Sequence, residues 1–139
     1  MKFLNLCFLT LFLGVTQLHA QIRVEEITYK ANNHFITTAI GYPITGIYFS
    51  EGKKEPTILL NPDGIGIFQR DDLTKKNIVW GIECSEEGVP IFKAGFNSAS
   101  YTFWYKTNDN EGWVHTQFSI HFNKKKMYLM GERVKEYDD

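Results

Sequence analysis

Cysteine is almost missing from this 139-residue chain: there are two, Cys7 and Cys84, too few for a disulfide framework and without the paired spacing of a zinc or redox site. No sign of charge dominates either. Fifteen Lys and Arg stand against 16 Asp and Glu, with no long block of one sign, which removes the basic footprint of a nucleic-acid binder. Histidine is sparse, and no Glu/His spacing of a metal site occurs. His115 and His121 share a strand face but lie six residues, or about 20 Å, apart, so they cannot hold one ion. Ser98, Ser100 and Ser119 have no nucleophile motif around them, and Cys84 ends an apolar strand face, where a thiol behaves as a small hydrophobe. Helical periodicity and internal repeats are also lacking. No catalytic residue, metal ligand or cofactor is therefore assigned.

What is present starts with an address. Met1 and Lys2 make a short positive start, residues 3–15 an apolar run too short to span a bilayer, and Ala20 a small residue at a cleavage position. Residues 1–20 read as a secretory signal peptide, and the remainder as a secreted or periplasmic chain. Removal of Lys2 leaves 15 − 1 = 14 basic residues against 16 acidic ones, a net charge of −2. Cys84 is then alone and forms no internal disulfide. No later run is long enough to span a membrane as a helix.

Beyond residue 43 the chain divides into eight short β-prone runs bounded by turn residues: 44–50, 56–61, 64–70, 77–84, 89–94, 100–106, 112–122 and 126–134. The fourth alternates, with Ile78, Trp80, Ile82 and Cys84 on one face, as half-burial demands. In the seventh, Val114, Phe118, Ile120 and Phe122 oppose His115, Gln117, Ser119 and His121. Asn61-Pro62-Asp63-Gly64 is the firmest turn, with Pro where its fixed φ suits and Gly where φ must be positive. Connections too short for crossovers make neighbours antiparallel. The expected fold is all-β, an eight-stranded antiparallel up-and-down barrel over 44–139 with a two-sheet sandwich as the alternative. Residues 21–43 form an N-terminal arm or extra strand.

Gly46-Ile47-Tyr48 near the first strand and Arg133 near the last resemble the lipocalin-like (calycin) family, whose Gly-x-Trp opening is covered by a basic side chain from the final strand. The chain is also similar in style to secreted lipocalin-like proteins of Bacteroides-type bacteria. The resemblance implies a small ligand-binding barrel and a closing contact of Arg133 on Tyr48, worth about 0.5–2 kcal/mol if it forms as a cation–π pair. It further implies that the odd-numbered turns surround an open mouth.

Two groups of residues follow as candidates. The aromatics concentrated in the second half include Trp80, Trp104, Tyr105, Trp113 and Tyr128; they read as a packed core or, as the alternative, as the lining of a pocket, where flat rings supply apolar area and their polar tips orient a ligand. Alternation of turns in such a barrel puts Lys53, Lys54, Lys75, Lys76, Lys124, Lys125 and Lys126 at one end, against Glu51, Glu55, Asp71 and Asp72. Such a rim reads either as a solvated edge whose lysines guard strand ends or as a mouth that attracts an anion. The even turns hold Asp63, Glu86, Glu87, Asp109 and Glu111 with Lys106. The expected function is binding, of a small apolar or amphipathic anionic molecule. The alternative is a protein-interaction or inhibitor module of the cell envelope. A small-barrel enzyme such as an isomerase, using acids such as Glu83 and Glu132, is the third reading.

Overall fold

The computed structural model describes residues 23–108 and 112–138. They form eleven strands and no helix: β1 (Val24–Tyr29), β2 (Asn32–Thr37), β3 (Gly46–Ser50), β4 (Thr57–Leu60), β5 (Ile65–Gln69), β6 (Lys75–Cys84), β7 (Phe92–Gly95), β8 (Ser98–Thr107), β9 (Val114–His121), β10 (Lys126–Leu129) and β11 (Arg133–Glu136). All pairings are antiparallel. Eight strands close a ring in the order β3-β4-β5-β6-β8-β9-β10-β11, sealed where β11 pairs with β3. The fold is thus the expected all-β, eight-stranded antiparallel barrel rather than a sandwich, with β1, β2 and β7 outside the ring. Residues 1–20, read from the sequence as a signal peptide, lie outside the described residues.

Alternation dictates what enters the ring. Ile78, Trp80, Ile82 and Cys84 all point inward and are at most 2% exposed, as are Phe118 and Ile120 of β9. The turn at residues 61–64 forms as its residues require: Gly64 has φ +84°, its N–H donates to Asn61 O at 3.2 Å, and Asp63 Oδ1 accepts from Ile65 N at 3.0 Å.

Membership of the ring differs from the sequence expectation in two places that cancel in number. The fifth run does not join it: β7 lies along β8 as an outer strap, and all four of its residues are exposed, so it has no face to bury. The eighth run is two strands, broken at residues 130–132, where Met130 (φ +56°) and Gly131 (φ +75°) make a turn. The N-terminal segment is a hairpin. Its β2 pairs with the last three residues of β6, Ile82–Cys84, and its β1 curls back over the outside of the ring.

Gly81 explains the curl. It sits on the outer face of β6 opposite Trp104, and a Cβ there would lie 2.7 Å from Ile36 Cβ. The missing side chain is a hole that Ile36 fills. Ile27, Ile36 and Trp104 then make a small second core, with Tyr29 and Trp113 against it. The main core occupies the barrel axis.

Candidate functional site

The five aromatics expected to line one pocket do not converge. Trp80 is inside, 1% exposed, stacked on Phe103 at 5.8 Å, with its N–H shared between Asn61 O and Ile65 O at 3.2 Å. Tyr105 is inside near one end, stacked with Phe68 at 6.0 Å. Trp104 and Trp113 belong to the second core outside the ring, and Lys106 Nζ stands 5.8 Å from the Trp113 ring centroid. Tyr128 faces outward against His121 at 4.9 Å. The cause is parity. Trp104 and Tyr105 are adjacent on one strand and must face opposite sides.

The axis itself is occupied. Trp80, Tyr48, Phe103, Phe118, Met127, Leu129 and six further isoleucine and leucine side chains are each less than 2% exposed, and the rings on the axis, that of Tyr101 included, meet at 5.8 to 6.3 Å. Close-packed side chains, not a lined cavity, fill the barrel.

Nor do the seven lysines share an end. Because β7 stays out of the ring, every turn after it changes sides. The turns at 51–56, 70–74 and 130–132 lie at one end, with Lys53, Lys54, Lys75 and Lys76. The turns at 61–64 and 122–125 lie at the other, with Lys124, Lys125 and the adjoining Lys126. The end of β8 at Thr107 and the start of β9 at Val114 are also at the first end; Asp109 and Glu111 are outside the described residues. The expected basic mouth is therefore divided.

The arginine-on-tyrosine closure is likewise replaced. Tyr48 is fully buried, and its hydroxyl donates to Ile44 O and lies 3.8 Å from Met127 Sδ. Burial pushes its pKa far above the ordinary phenol value. Arg133 is level with Ser50, two residues along β3 from Tyr48, with its guanidinium toward Asp71 at 3.6 Å and Glu132 at 4.0 Å. Its Nε, like Trp104 Nε1, is buried without an acceptor among the described residues.

Three surface features remain. The first is a groove over the seam between β3 and β11, lined by Lys53, Lys54 and Lys126 around Ile47, Phe49 and Val134. The second is the strap from Val89 to Phe96. Val89, Ile91, Phe92 and Phe96 are 62, 53, 56 and 95% exposed, the densest run of bare apolar side chains in the described residues. The third is a cluster under the hairpin, where His34 Nδ1 lies 2.6 Å from Glu83 Oε1 and His34, Tyr29 and His115 surround Trp104 at 4.8 to 5.0 Å. Sequence reasoning missed His34–Glu83, because 49 residues separate the partners and only the register of β2 on β6 joins them.

Among the described residues no group of three or more His, Cys, Asp or Glu side chains is placed to hold a metal ion, and no helix is long and apolar enough to cross a membrane. No family model, curated protein or solved structure matches this chain.

Proposed function

We propose that this chain is an exported binding module that engages a protein partner through its outer surface, with the strap β7 receiving an extended strand of that partner. The filled barrel axis carries the reading, because a small ligand has no enclosed space there. The strap supplies the rest. β7 pairs with β8 along one edge only among the described residues, and an edge strand offers unpaired N–H and C=O groups to another chain. Strand addition draws affinity from those groups and specificity from flanking side chains, here Phe92 and Phe96. Apolar side chains left bare in this density mark interaction surfaces. What supports a lipocalin-like identity is the eight-stranded ring; its ligand-carrying corollary loses its pocket. Export rests on residues 1–20.

Native mass spectrometry of the chain isolated from its own envelope, followed by hydrogen exchange of the complex, tests this. The expected result is a co-isolated protein that adds protection to the amides of Phe92–Gly95 and is released by the double substitution Phe92→Ser and Phe96→Ser. A small molecule retained instead of a protein, or a footprint elsewhere, overturns it.

A further inference from the structure

The geometry points to a second site: we infer that the groove over the barrel's closing seam binds a single-chain amphiphile with an anionic head, the head at Lys53 and Lys54 and the body across Phe49, Ile47 and Val134. The inference is independent of the strap, which lies on β8.

The groove has a volume of about 930 Å³, within the range of sites that take drug-sized molecules. It exists because β11 meets β3 through only two residue pairs, Arg133 with Ser50 and Val134 with Phe49. Below Phe49 the strands part, and the stem of Lys135 fills the opening, its Nζ donating to Pro43 O at 2.8 Å. Ile47 and Phe49 are two residues apart on one strand, so both point outward from the barrel, and they stay 47% and 45% exposed. From Ser50 to Ile47 the floor runs about 10 Å, a length that suits an extended aliphatic chain better than a compact ion.

Charge sets the orientation. Lys53 and Lys54 rise from the turn at one end of the groove and Lys126 stands at the other, with Glu51 and Glu136 also on its walls. Glu136 is the cross-strand partner of Lys126 and offsets it. On the groove's own walls the two turn lysines stand with one carboxylate, Glu51, since Glu55 of the same turn does not line it, and neither lysine is paired with a carboxylate among the described residues. Lys135, the fourth cation of the lining, has its amine held by Pro43 O, so the lysines left to complement an anionic head are the two at the turn.

Calorimetric titration with dodecanoate, kept below its aggregation threshold, tests the site. One equivalent should bind, and Lys53→Gln with Lys54→Gln should weaken binding by about tenfold or more, while Lys126→Gln changes it by less than about twofold. Phe49→Ser should weaken it comparably, with Ile47→Thr as the second variant should Phe49→Ser not fold; thermal unfolding checks each. Butyrate and dodecyltrimethylammonium should bind at least about tenfold more weakly than dodecanoate, the first lacking the apolar body and the second the anionic head. Equal binding of dodecyltrimethylammonium, unchanged affinity in the double lysine variant, or binding to anionic phosphatidylglycerol vesicles without binding of free dodecanoate would each overturn the inference.

Discussion

Gly46 and Lys135 meet where the first and last ring strands close the barrel. Gly46 has φ +118°, a conformation that L side chains rarely adopt, and a Cβ on it would lie 2.9 Å from Lys135 Cε. These two penalties are separable. The lysine stem is flexible and can retreat, whereas the backbone cannot change φ without opening the seam. Gly46→Ala should cost about 1–3 kcal/mol through the backbone, and adding Lys135→Ala should restore little of it. A double-mutant cycle by urea unfolding decides between them; substantial restoration by Lys135→Ala would make the loss steric instead. Single residues were also where the sequence spoke most clearly. Period-two alternation put Trp80, Ile82 and Cys84 on the buried face because a half-buried strand leaves no other pattern. Gly46 was legible as part of a triplet, but its φ depends on how β11 arrives from 87 residues away, and no local signal carries that.

At the scale of elements, the hairpin β1–β2 is the part of the fold with the smallest core of its own. Three buried side chains, Ile27, Ile36 and Trp104, hold it to the ring, together with three residue pairs to β6 and the contact of His34 with Glu83. Trp104→Ala should cost about 3–5 kcal/mol, as for other buried aromatic truncations. The amides of Val24–Thr37 should gain exchange more than those of β9 and β10, since the loss falls on a locally opening unit. Trp104→Phe should be much milder. It keeps a ring and removes an N–H that has no acceptor among the described residues, a group whose burial unpaired costs about 1–3 kcal/mol. Uniform loss of protection over the whole barrel in the alanine variant would show instead that hairpin and ring unfold together. This element was legible only in part. The Asn32-Asn33 break marked an interruption, but the chain actually reverses through Lys30 and Ala31, both at positive φ, residues that carry little turn signal. The strap was misassigned for a related reason: residues 89–94 have strand composition, and only the fully exposed pattern of β7 shows that they bury no face. That single error reversed the end assigned to Lys124, Lys125 and Lys126.

For the molecule as a whole, the filled axis governs how stability responds to alkali. Tyr48 is fully buried and held in its neutral form by burial, which raises its pKa far above the ordinary phenol value. Tyr101 is raised by burial and by Tyr42 beside it, and Cys84 by burial and by the charge on Glu83. In the unfolded chain these groups ionise at about 8.5 for the thiol and about 10 for the phenols. Between the unfolded and folded values the native state binds more protons, so stability falls as pH rises. Lys135 works in the opposite sense: burial lowers its pKa, so its penalty is relieved as pH approaches the unfolded value of about 10.4. It is one partly exposed amine against two buried phenols and a buried thiol, and the phenols prevail. Urea midpoints should therefore hold steady up to about pH 8, decline beyond the thiol's ordinary value and fall more steeply above about pH 10. Tyr48→Phe gives the control. It should lose about 1 kcal/mol at pH 7, from the hydrogen bond to Ile44 O, and show a flatter decline above pH 10. A variant whose decline matches the parent would mean that the alkaline loss comes from elsewhere in the barrel, and that its axis admits hydroxide far more readily than close packing allows.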